Sequence, residues 1–138
     1  MSKKLCIHVD GATAGTEQVG IAAVARSPEG YFIGWLSRQL PRMTNNEAEY
    51  HATLLGLELA HRLGAGTIEV VSDSEVVVRQ MQGLSRVNSG RLKPLHQRAC
   101  ARAGHFTHVA FRHVARTENV LADALATEAL YGRTVRMR

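Results

Sequence analysis

TNNEAEYHATLLGLELAHRLGAGTIEVV, residues Thr44–Val71, is the stretch on which the fold turns. Ala48, Ala52, Leu55, Leu59 and Leu63 recur at spacings of three and four, which lines them along one side of a helix. Thr44 and Glu47 stand at the Thr-x-x-Glu spacing of a capping box, in which each side chain satisfies a backbone N–H that the first helical turn leaves free. Gly64 and Gly66 end the periodic run. Thr67-Ile68-Glu69-Val70-Val71 then reads as a strand. A long capped helix passes directly into a strand, the signature of an α/β chain.

Working outward, the segments before Thr44 are short and β-rich. Leu5–Val9 is a strand closed by the turn signal Asp10-Gly11, and Gly20–Ala25 is a second. Ser27-Pro28-Glu29-Gly30 is a turn with Pro at its second position, and Tyr31–Leu36 is a third strand, giving an antiparallel meander. After Val71 come a helix from Ser74 to about Gln82, another from Ser89 to Ala103, a strand over Phe106–His113 and a closing helix over Glu118–Tyr131. The order β-β-β-α-β-α-α-β-α predicts an α/β fold: a mixed sheet with helices on both faces. No linker or internal repeat interrupts it, so a single domain over residues 1–138 is expected.

At 138 residues the chain is long enough to bury a core. A hydrophobic fraction of 45% and a charged fraction of 21% exclude a disordered chain. No apolar run approaches the roughly 20 residues of a membrane span. The apolar stretch after Lys3 and Lys4 breaks at His8 and Asp10, too soon for a secretory leader. Cys6 and Cys100 lack metal-ligand spacing and read as buried free thiols of a protein in the reducing cytoplasm.

The net charge of +5 is unevenly placed. Between Val76 and Thr117 there is no Asp or Glu, while Arg79, Arg86, Arg91, Lys93, Arg98, Arg102, Arg112 and Arg116 all fall there. A one-sign field of this length suits a polyanion such as nucleic acid, and it is equally the pattern of a solvated basic face. The few aromatic residues, 5% of the chain, do not favour base stacking as the main binding device.

Four of the twelve acidic residues stand at telling places. Asp10 follows the first strand and Asp73 the fourth. Glu49 lies in the first turns of the long helix. Asp123 sits inside the closing helix among Ala122, Ala124, Leu125 and Ala126. Taken singly, Asp10 fits a turn residue, Asp73 a helix cap and Asp123 an exposed helical position. Glu47 already has a structural use in the capping box. Carboxylates inside apolar segments call for a cation, and oxygen-only ligation suits Mg2+ or Mn2+.

Together these segments resemble the type 1 ribonuclease H family over about residues 4–131. Val9-Asp10-Gly11-Ala12, Thr44-Asn45-Asn46-Glu47-Ala48-Glu49-Tyr50, Ser72-Asp73-Ser74 and Asn119-x-x-Ala122-Asp123-Ala124-Leu125-Ala126 carry the resemblance in order and spacing. It implies a ribonuclease H-like fold, a five-stranded mixed sheet whose first three strands are antiparallel. It also implies a metal-dependent endoribonuclease that hydrolyses the RNA strand of RNA–DNA hybrids and leaves 5′-phosphate and 3′-hydroxyl ends. The carried-over carboxylates are Asp10, Glu49, Asp73 and Asp123, which would hold two Mg2+ or Mn2+ ions, one activating water and one stabilising the leaving oxygen. Thr44, Asn45 and Asn46 match the substrate-groove segment, where amides meet minor-groove edges and 2′-hydroxyls and a helix N-terminus meets phosphate. Arg42 stands just upstream as a phosphate partner.

Three departures from the family pattern bear on substrate. Thr13-Ala14-Gly15-Thr16-Glu17-Gln18 lacks the usual Gly/Asn/Pro-rich loop. The segment Leu84–Lys93 is too short for a basic protrusion, which places the chain in the compact subgroup, some members of which cleave double-stranded RNA. His113, ten residues before Asp123, matches a catalytic histidine but is followed by Val114-Ala115-Arg116, so Arg116 can share that role. The expected protein is a cytoplasmic monomer acting on RNA–DNA hybrid. Double-stranded-RNA cleavage and a non-catalytic nucleic-acid-binding module are the rivals.

Overall fold

The computed structural model describes residues 3–14 and 17–132. Its elements are β1 (Lys3–Thr13), β2 (Gln18–Arg26), β3 (Phe32–Pro41), α1 (Asn45–Arg62), β4 (Ala65–Ser72), α2 (Glu75–Met81), α3 (Leu92–Ala103), β5 (His108–His113) and α4 (Val120–Leu130), with a 3-10 turn at Arg116–Glu118. The five strands form one mixed sheet in the order β3-β2-β1-β4-β5. β1 pairs antiparallel with β2, and β2 with β3. β1 pairs parallel with β4, and β4 with β5.

Side-chain alternation sorts two apolar layers. Leu5, Ile7, Val9, Ile21, Ala23 and Ala25 point to one face and pack with Tyr50, Leu54, Leu55 and Leu57 of α1, Val77 of α2, and Leu92 and Leu95 of α3. Ala22 and Val24 point to the other face, against Ala122, Leu125 and Ala126 of α4. Covered on both sides, β2 is buried from Val19 to Ala25, which explains its near-continuous run of small apolar residues. Gly20 lies where the β2 backbone meets α4: a Cβ there would collide with the Ala126 carbonyl and the Leu130 amide.

The three meander strands are longer than their sequence signals. β1 continues through Asp10-Gly11 to Thr13, with Asp10 opposite Ala22 and Gly11 opposite Ile21, so no turn forms there. β3 begins at Phe32 and runs to Pro41. β5 begins only at His108, two residues after Phe106. Ser89 precedes α3 as a turn: its hydroxyl accepts from the N–H groups of Arg91 and Leu92. The 3-10 turn delays α4 to Val120. Cys6 is half-buried and Cys100 exposed, against the expectation of two buried thiols. Cys100 sits one position, about 100° of helix, round from buried Ala99. No helix among the described residues is long and apolar enough to cross a membrane.

Candidate active site

Four elements bring their acidic residues to one end of the sheet. Asp10 lies within β1, two positions past the last β1–β4 pair at His8 and Val71. There the parallel neighbour stops, and Asp73 follows directly on Ser72, the last residue of β4. Ser74 rather than Asp73 caps α2, its hydroxyl accepting from the Val77 N–H. The Asp73 side chain is therefore free to point into the opening. Ser72 steadies the bend by accepting from the Ser74 N–H at 3.0 Å.

Glu49 stands on the second turn of α1. The helix N-terminus is fixed by the capping box foreseen from Thr44 and Glu47, with both reciprocal bonds present. The Gly11 N–H donates to Glu49 Oε1 at 2.6 Å, and glycine suits the close approach, because a Cβ would stand a tight 3.0 Å from the Ala48 backbone and from Glu49 Oε1. Asp10, Glu49 and Asp73 each offer a carboxylate oxygen within 4.8 Å of the others, the one such group of three possible metal ligands among the described residues. Asp123, in the first turn of α4, lines the same cleft and its charge helps raise the Asp10 carboxyl, but it stands outside that mutual spacing.

The electrostatics record the crowding. Asp10 is only 5% exposed. Burial first, then the charges of Glu49 and Asp73, push its carboxyl up to about 9. Burial and the Asp73 charge push Glu49 up to about 7, opposed by the Gly11 N–H and by a hydrogen bond with Asp10. Like charges this close cannot all ionise unaided. The donor set fits a hard divalent cation, whose charge removes that conflict.

The cleft, of about 400 Å³, is also lined by Gly11, Ala12, Thr13, Ala14, Asn45, Arg116, Thr127, Leu130 and Tyr131. Asn45 accepts from the Thr13 hydroxyl. Arg116 Nε reaches to 3.7 Å from Asp73 with its side chain 83% exposed. Thr44 is occupied with Glu47, while Asn46 is exposed on the first turn of α1. Arg42 is exposed beyond the end of β3, its N–H bonded to the Glu17 carbonyl. His113 ends β5 opposite Ser72, exposed, and does not line the cleft. Thr13, Thr127 and Tyr131 had no local signal, because only the β1–α1–α4 packing brings them to the rim.

A mixed sheet in this order, with carboxylates from β1, α1, α4 and the end of β4 meeting in one cleft, defines the ribonuclease H-like class of α/β proteins. A family described as reverse transcriptase-like matches residues 8–129. The N-terminal RNase H domain of Rv2228c from Mycobacterium tuberculosis, solved as a fusion with maltose-binding protein, superposes with a TM-score of 0.90 at 34% identity, over 95% of this chain and 96% of that one. RNase H1 from the halophilic archaeon Halobacterium salinarum gives 0.90 at 33% identity, over 94% and 98%. LC11-RNase H1, solved in complex with an RNA/DNA hybrid, gives 0.87 at 30% identity, over 93% and 97%. The chain belongs to the type 1 ribonuclease H family. It spans 35% of the length of the full bifunctional protein Rv2228c, to which it is 36% identical over 129 residues.

Proposed function

We propose that this chain is a metal-dependent endoribonuclease that hydrolyses the RNA strand of RNA–DNA hybrids. The observation that carries the reading is the convergence of Asp10, Glu49 and Asp73 within 4.8 Å, with protonation held abnormally high. A protein that merely bound nucleic acid would gain nothing from concentrating repulsive carboxylates where phosphates must approach. Hybrid as substrate is supported by the kinship with LC11-RNase H1, which was solved with one bound.

In this reading Asp10, Glu49, Asp73 and Asp123 hold two Mg2+ or Mn2+ ions. Bound there, divalent ions supply Lewis acidity, lowering the pKa of a water and stabilising the leaving 3′ oxygen. The chain's own residues do the rest. Gly11 orients Glu49 through its N–H. Asn45, beside the acids, faces the RNA minor-groove edge and its 2′-hydroxyls, with Asn46 next to it. Thr44 and Arg42, just ahead of Asn45 in the chain, take backbone phosphates. Arg116 stands over Asp73 to meet the scissile phosphate or its products. His113 assists from the end of β5 as an accessory base. One chain supplies every carboxylate, so the working state is a monomeric domain over residues 1–138, which we place in the cytoplasm.

The test is incubation with end-labelled hybrid, double-stranded RNA and single-stranded RNA, with Mg2+, with Mn2+ and with EDTA. The reading expects cation-dependent cleavage of the RNA in the hybrid. Faster cleavage of double-stranded RNA would change the substrate, and binding without cleavage would make the chain a nucleic-acid-binding module.

A further inference from the structure

Asn119 occupies the N-cap of α4, where asparagine is favoured because its side-chain oxygen accepts an N–H of the first turn. Here it makes no such bond. The side chain is 1% exposed and turned onto β1 instead. Its Nδ2 donates to the Val9 carbonyl at 2.8 Å. Its Oδ1 lies 3.2 Å from Nδ1 of His8, which makes that nitrogen the donor. Nε2 of His8 is then left as an acceptor facing Cys6 Sγ at 3.6 Å.

The same residue holds the helix. The Asn119 carbonyl accepts from the Asp123 N–H at 3.1 Å, closing the turn that carries that carboxylate. At the other end of this turn Asp123 lines the same cleft as Asp10, the residue after Val9. A buried amide satisfied at both ends resists displacement, since either bond broken leaves a desolvated polar group.

We propose that Asn119 is a positioning residue: its buried carboxamide ties the first turn of α4 to β1 at His8 and Val9 and so sets the spacing of Asp10 and Asp123. It touches neither substrate nor cation. The proposal rests on the reading of the cleft as the cation site, and it separates from a plain capping role. An aspartate at 119 caps a helix as well as asparagine does, but in its ionised form has no donor for the Val9 carbonyl.

The experiment compares wild type, Asn119→Asp, Asn119→Ala and His8→Ala in the full chain. Thermal unfolding is followed in EDTA and across a Mg2+ titration, with hybrid cleavage measured in parallel. Both Asn119 variants are expected to need about tenfold more Mg2+ for half of the cation-dependent rise in Tm, the size typical of groups that orient metal ligands. Turnover falls and partly recovers as Mg2+ is raised, while KM for the hybrid stays put. His8→Ala moves the Mg2+ midpoint the same way by less. Leu95→Ala, a truncation in the α3 core, lowers Tm in EDTA and leaves the midpoint unchanged. If Asn119→Ala does not fold, the isosteric Asn119→Asp carries the test. A wild-type midpoint in Asn119→Asp overturns the proposal. A wild type whose Tm ignores Mg2+ altogether defeats the cation-site reading instead.

Discussion

Glu47 and Glu49 lie two residues apart at the start of α1, yet they belong to regions of opposite electrostatic character. At the helix cap, Glu47 accepts from the Thr44 N–H and lies 3.7 Å from Arg91, and its carboxyl is held below the usual range, chiefly by the Thr44 backbone bond. In the cleft, Glu49 is half-buried beside Asp73, and its carboxyl is pushed up. Two residues of helix turn the side chain by about 200°, from the solvent rim to the end of the sheet. The chain thus keeps one glutamate ionised to begin the helix and another strained toward neutrality to await a cation. Residue type does not distinguish them; surroundings do.

The sharpest way to break this comparison is inside the cleft. Asp10→Asn or Asp73→Asn should lower single-turnover cleavage of a hybrid by at least about a thousandfold, because losing a cation ligand forfeits several kcal/mol of transition-state stabilisation. The same Asp10→Asn should raise Tm in EDTA, since it removes charge from a crowded, buried group. Loss of activity together with loss of fold would instead make Asp10 a structural residue.

The glutamate pair gives the next largest contrast. Glu49→Gln should be nearly inactive, whereas Glu47→Gln should keep activity within about threefold and cost about 1 kcal/mol or less, the scale of a cap contact. Cleavage rates and urea unfolding of the two variants check this. An inactive Glu47→Gln beside an active Glu49→Gln would exchange the two regions' roles.

A smaller effect separates the cleft from its margin. His113 lies outside the cleft lining and Arg116 within it. His113→Ala should slow turnover by about a hundredfold or less, the low end for an assisting proton carrier, with hybrid affinity unchanged. Wild-type turnover would make His113 only the end of a strand, and a loss equal to that of Asp10→Asn would make it indispensable.

Stability against pH should show the mildest signature. Asp10 and Glu49 have folded pKa values of about 9 and about 7, above their ordinary 3.8 and 4.5. Between these limits the folded state holds protons that the unfolded state releases. Stability in EDTA therefore falls as pH rises from about 4 toward 9. Saturating Mg2+ should flatten that fall, and Asp10→Asn should remove much of it. Scanning calorimetry from pH 5 to 9 decides, and a Tm in EDTA that rises across this range would contradict the cluster's electrostatics.

Much of this contrast is legible in the sequence. Thr44-x-x-Glu47 announced the cap, and the alternation of strands and helices announced the sheet with helices on both faces. The four acids were legible as a set only through the family motifs that carry them, since each taken singly also fits a turn, a cap or an exposed helical position. Asp10 was misplaced, because Asp10-Gly11 has the local chemistry of a turn and yet is held extended by pairing with β2 and packing under α1. Long-range contacts override local preference there. Gly11's donation to Glu49 and Asn119's bonds to β1 depend on pairs 38 and 110 residues apart, which no local pattern encodes. Cys100 misled because apolar neighbours in sequence are not neighbours on a helix face.

The central claim is that the carboxylate cluster is a cation site which holds protons until a cation arrives. Calorimetric titration of the protein with Mg2+ at about pH 7.5, repeated in buffers of different ionisation enthalpy, measures the protons exchanged on binding. The account predicts net release of protons, roughly one per protein, diminishing above pH 9 and in Asp10→Asn. Mg2+ binding with no proton release at pH 7.5, or no binding in the wild type, would contradict it.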